Sequence, residues 1–140
     1  MPGINHNADD KSRSHSFKAF REEVDTVSAT VGEIAEHLPE ALSAEAFLHL
    51  TRSFESISKQ FANMVLIQSH PFYVLLTGSR QRLAYTKLVV KEAGKVAQLF
   101  EKYAKKPRSY SAVNSRIQLN QLQAGLENLK SVIPPRENLE

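Results

Sequence analysis

The stretch FLHLTRSFESISKQFANM, residues 47–64, decides the fold. Its apolar residues Phe47, Leu50, Phe54, Ile57, Phe61 and Met64 recur in alternating steps of three and four. An α-helix turns once per about 3.6 residues, so steps averaging about 3.5 draw a narrow apolar seam along one side of it. The same phase returns twice: in Phe17, Phe20, Val24, Val27, Val31, Ile34 and Leu38, and in Leu119, Leu122, Leu126, Leu129 and Ile133. Such seams are hidden only against one another. The chain therefore reads as all-α, a bundle whose amphipathic helices share one interior.

Punctuation divides the bundle. The first helix runs from about Phe17 to His37, opened by Ser14 or Ser16 and ended by Pro39, which pushes its predecessor out of the helical region. Ser43 reads as the N-cap of the second helix, with Glu45 in the first turn where the helix dipole favours an anion; Pro71 stops it. The third is expected to begin near Pro71, with an irregularity at Gly78. The alternative is a separate apolar turn over Phe72–Leu76 and a helix starting at Ser79. Lys105, Lys106 and Pro107 close it, and Ser109 or Ser111 opens a fourth helix that ends before Pro134-Pro135. Short links place neighbours antiparallel, so the expectation is an up-down-up-down four-helix bundle over residues 16–134, with a disordered N-terminal tail over 1–15 and a frayed C-terminal tail over 135–140. A smaller hairpin dimerising through the same seams is the other architecture this pattern allows.

Composition narrows the chemistry. At 140 residues, 41% hydrophobic and 24% charged, the chain has the make-up of one soluble domain. It has no cysteine, which excludes disulfides, thiolate metal sites and cysteine nucleophiles. No apolar run approaches the roughly 18 residues of a membrane span, and Met1–Ser16 lacks an apolar signal core, so a cytoplasmic protein is expected. There is no Glu-x-x-His pair, and the five histidines are scattered; His37 and His49 share helix faces with Glu33 and Glu45, but outside the seam. Gly-x-Ser-x-Gly and glycine-rich phosphate loops are absent. The expectation is a non-enzyme with no catalytic, cofactor or metal site.

The net charge of +3 hides an uneven distribution. Between Arg21 and Glu55 eight acids face two bases; between Arg80 and Arg116 ten bases face only Glu92 and Glu101. Lys87, Lys91 and Lys95, at four-residue steps, form a stripe that Arg80, Lys102, Lys105, Lys106 and Arg108 extend. It reads either as an anion-facing surface or as the internal counterpart of Glu22, Glu23, Asp25, Glu33 and Glu36 on the acidic helices. Tyr85 and Tyr103 belong to the apolar side, so no ring interleaves the lysines for base stacking. A second feature is the apolar corner of Met64–Ile67 and Phe72–Leu76, either a buried junction or an exposed patch. The functional expectation is an adaptor or regulatory module that lays an acidic or amphipathic helix of a protein partner in a groove between two of its helices, steered by the basic residues of the third. The alternative is direct binding of an anionic membrane surface or nucleic acid by the same face.

Overall fold

The computed structural model describes the backbone of residues 2–71 and 78–133, and the side chains of residues 17–71 and 78–133. Four helices follow one another: α1 (Pro2–Glu36), α2 (Ala44–Gln68), α3 (Ser79–Lys105) and α4 (Ala112–Ser131), with a 3-10 turn at Pro107–Ser109 before the last. No strand occurs among the described residues. The α1 backbone is helical back to Pro2 and its described packing begins at Phe17. The stretches 1–15 and 135–140, read as tails, lie outside the residues whose side chains are described.

Both expected serine caps form: Ser43 Oγ accepts from the Ala46 N–H at 3.1 Å, and Ser111 Oγ accepts from the Asn114 N–H at 3.1 Å. Each satisfies a donor that the first helical turn leaves without an intrahelical partner. Ser109 is instead part of the 3-10 turn and donates to the Lys106 carbonyl. The expected irregularity at Gly78 is present: it adopts φ +77°, and α3 as described starts directly after it at Ser79, while Pro71 is itself helical at the edge of the undescribed residues. Glycine enters that left-handed region without a Cβ clash, and a right-handed helix does not continue through it. Residues 72–77, the rest of the apolar corner, lie outside the described residues.

The up-down-up-down topology is visible in the residues that meet. Phe47 and Phe54 of α2 pack on Phe100 of α3, while Ser58 Oγ donates to the Val90 carbonyl and Gln68 Nε2 to Thr86 Oγ1. Numbers rise on one helix as they fall on the other, so the pair is antiparallel. α4 returns along α1 in the same sense, with Arg21 beside Lys130 and Arg116 beside Ala35.

Two physical devices hold these pairs. On α2, Phe47, Phe54 and Phe61 are fully buried. Phe47 touches Phe100, Tyr103 and Tyr110, with ring centroids 6.3, 5.6 and 5.1 Å away. Each buried ring contributes on the order of 2–3 kcal/mol by removal from water, and tilted ring pairs add about 1 kcal/mol. The Tyr110 hydroxyl also donates to the Pro39 carbonyl at 2.8 Å, tying the α1–α2 link to this cluster. Between α1 and α4 the ties are polar and reciprocal. Arg21 donates to the Lys130 and Ile133 carbonyls at 2.9 and 3.3 Å, and Arg116 to those of Ala35 and Leu38 at 3.3 and 3.2 Å. Each arginine thus caps the C-terminal end of the other helix, where carbonyls lack intrahelical donors. Midway, Gln123 Nε2 donates to Ser28 Oγ, and Ser28 Oγ donates to Glu127 Oε1, which also takes the Lys130 ammonium at 3.1 Å.

Two outcomes follow from these contacts. Phe54→Ala should lower stability by about 3–5 kcal/mol, whereas Ile57→Ala, on the half-buried flank of the same helix, should cost about 1–2 kcal/mol. Urea midpoints measure the difference, and equal losses would contradict the packing described. The Glu127 carboxyl is held below its ordinary pKa, chiefly by the hydrogen bond from Lys130 and further by Ser28, Gln123 and the Lys130 charge, with desolvation opposing. A depressed carboxylate contributes stability that is present above its unfolded pKa and lost as pH falls through the folded one. Denaturation between pH 7 and pH 3 should therefore show a shallower acid loss for Glu127→Gln than for the parent chain; identical acid limbs would remove this group from the account.

Candidate interaction surfaces

The α3 sequence places its cations opposite its core. Val89, Ala93, Val96 and Phe100 are buried, and Arg80, Lys87, Lys91, Lys95, Lys102 and Lys105 fall on the reverse arc, all exposed. The uncharged positions on that arc are Ala84 and Gln98. At 1.5 Å per residue the line from Arg80 to Lys105 is about 38 Å long. Lys106 and Arg108, also exposed, prolong it into the following turn. Six of the eight expected surface residues thus share one arc of α3, and Lys106 and Arg108 follow in the turn.

Internal pairing with the acidic helices does not occur among the described residues. The carboxylates in reach of the stripe are Glu92, 3.5 Å from Lys95, and Glu101, 3.6 Å from Lys105, both on α3 itself. Asp25 of α1 is engaged instead by Arg21 and Lys130, at 3.3 and 3.9 Å. Two of the ten bases counted from the sequence are engaged elsewhere. The Arg82 guanidinium is buried 5.0 Å above the Phe17 ring, and burial lowers its pKa. Arg116 is committed to the end of α1. Neither role is visible in the sequence, because both depend on which helix end lies beside the side chain. Glu92 was missed for a similar reason: it is buried on the flank of α3, with Oε2 lacking a hydrogen-bond partner.

A second surface lies between α1 and α2. α2 packs on α3, α3 on α4 and α4 on α1, whereas the α1 and α2 backbones barely approach. Their facing flanks are apolar rows at heptad steps, Phe20, Val27 and Ile34 against Leu50, Ile57 and Met64, all half-buried except Val27, which is buried. At one end of this seam Phe20, Met64 and Ile67 line a cavity of about 270 Å³ with Glu23 beside it. At the other, Ile34, Leu42 and Leu50 line a shallower one of about 570 Å³, with Glu33, His37 and His49 around it. The His37 ring nitrogen Nδ1 is 3.0 Å from the Glu33 carbonyl oxygen. Of the apolar corner, Leu66 and Ile67 stand in water at 72% and 55% exposure. The basic line runs along the outer side of α3 and does not border this seam.

Among the described residues no three of His, Asp and Glu gather closely enough to hold a metal ion, and no helix is long and apolar enough to cross a membrane. Comparison with protein-family models, with curated proteins and with solved structures finds no match for this chain.

The stripe opposes the fold that carries it. Like charges four residues apart on a helix destabilise it by roughly 0.2–0.5 kcal/mol per pair, and Lys91 forms such pairs with both Lys87 and Lys95. Lys91→Glu turns both repulsions into attractions and should raise stability by about 0.5–1.5 kcal/mol, read as a higher urea midpoint at low salt. A lower midpoint would mean that Lys91 has a structural role.

Proposed function

We propose that the chain is a non-enzymatic adaptor or regulatory module whose outer α3 face binds a protein partner through an acidic helix or helix-like acidic surface. The observation that carries this reading is the line of exposed cations from Arg80 to Lys105, which among the described residues meets only Glu92 and Glu101 of α3 itself, at Lys95 and Lys105, and has no counterpart on α1 or α2. A self-repelling line that weakens its own helix is explained by something that meets it from outside. Steps of four residues set neighbouring ammonium groups about 6 Å apart along the axis, the pitch of carboxylates at i, i+4 on an acidic helix lying alongside. Among the described residues every Phe and Tyr is buried or half-buried, which favours a protein over single-stranded nucleic acid. A cylinder meets a flat membrane along one line and leaves the flanking surface unused, whereas a second helix follows the whole line. Exposed ion pairs contribute only about 0–1 kcal/mol each, so the stripe governs capture rate and orientation more than affinity. A cytoplasmic setting belongs to this reading.

The test is binding of a labelled helical peptide with glutamates at i, i+4 over about six turns, followed by fluorescence anisotropy at rising salt. The parent chain should bind it, with affinity falling as salt screens the charges, and the K87E/K91E/K95E/K102E variant should lose at least about tenfold while keeping its helical circular dichroism. Equal binding by the variant, or preference of the parent chain for duplex DNA or phosphatidylserine vesicles over the peptide, overturns the reading.

A further inference from the structure

We infer that the open seam between α1 and α2 is a second docking site, which takes an amphipathic helix with basic flanks from a protein partner. The inference stands apart from the α3 stripe. Three neighbouring pairs of helices approach closely along their backbones, and among the described residues α1 and α2 do not. Two heptad rows line it, and five of their six residues keep apolar surface in water. Leaving such rows uncovered is unfavourable by roughly 25 cal/mol for each Å² of apolar surface, and a third apolar ridge laid in the angle would bury it.

The seam has a register that fits a helix. Its two cavities are centred on Phe20–Met64 and on Ile34–Leu50, two heptads apart, or about 21 Å along the axis. Between them, on the same rows, Val27 is buried and Ile57 half-buried. A docking helix therefore places large apolar side chains at i and i+14, over the two cavities, and a small one at i+7, level with the buried Val27. Helices bound in grooves are read in this way, through anchors on one face.

Charge settles the chemistry of the flanks. Glu23 borders one cavity and Glu33 the other, and no lysine or arginine lines either. Glu36 and Glu40 stand exposed where α1 gives way to the link into α2. An acidic partner helix would meet repulsion at both ends, and a basic one attraction at both. The occupant thus differs in charge from the acidic partner of the α3 face, so one chain can hold two unlike helices at once.

The experiment uses the full chain and a labelled 22-residue helical peptide with leucine at i and i+14, alanine at i+7 and lysines on the flanks. Saturable binding is expected, with methyl NMR shifts in Ile34, Leu50, Met64 and Ile67, that is, at both ends of the seam. Replacing either leucine with serine, or the lysines with glutamates, should weaken binding at least about tenfold, and the K87E/K91E/K95E/K102E protein should bind as the parent does. No methyl perturbation at millimolar peptide overturns the inference. So do shifts confined to one end or to α3, or equal binding of the glutamate peptide. None of these results bears on the acidic peptide, so the two surfaces stand or fall separately.

Discussion

The aromatic ladder of α2 is the constraint on which the remaining architecture depends. Phe47, Phe54 and Phe61 repeat at heptad steps and leave no surface in water. Rings of this size need a deep partner, and α3 supplies one in Phe100 and Tyr103 beside the smaller Val96, Ala93 and Ala97. Once α2 has turned these rings toward α3, its flanking row of Leu50, Ile57 and Met64, about 60° round the helix, lies on the side of α1. That row can be sealed only by a helix pressed close to it. α1 is not pressed close, because its own buried seam of Val24, Val31 and Leu38 belongs to the interior it shares with α4.

Different forces govern the two antiparallel pairs. α2 and α3 are joined mainly by ring packing, which is strong in sum and tolerant of small shifts. α1 and α4 are joined by smaller apolar residues and by directional contacts that set register: the two arginine caps and the Ser28–Gln123–Glu127 chain. A hydrogen bond from a charged donor contributes about 1.5–3 kcal/mol and is lost within an ångström of misplacement. α1 is therefore held at a defined position against α4, and the width of the α1–α2 seam is set from the far side of the bundle. The Tyr110–Pro39 hydrogen bond adds a third point by pinning the link between α1 and α2.

Much of this was legible in the chain. The heptad phase named the buried face of α2 and α4, and Phe47, Phe54, Phe61, Leu119, Leu122 and Leu126 are where it placed them. Ser43 and Ser111 announced their caps, since a short polar side chain before an apolar-periodic run has one good use there. What periodicity cannot state is which neighbour a face meets, or how closely. Phe20 and Val24 look alike in a seam, yet one is half-exposed and the other buried. Gly78 was legible as an irregularity, but not whether the helix begins before it or after it, because Pro71 and Ser79 are both acceptable first residues. The basic stripe could be read from four-residue steps within one helix. Its freedom from α1 and the diversion of Arg82 and Arg116 could not, since both rest on distances between helices.

Fold and charge together make the two surfaces independent. The α3 stripe points away from the core, and the α1–α2 seam opens on a different side, with α2 between them. A helix with its side chains is about 10 Å across, while charges in physiological salt are screened over about 8 Å. The field of the lysines has therefore largely decayed before it reaches Glu23 or Glu33, and the acids of α1 do not neutralise the stripe. The acidic and basic halves of the sequence, which in a flat reading nearly cancel to +3, are kept apart by the helices that carry them. A bundle of this size thus carries surfaces of opposite charge without either weakening the other.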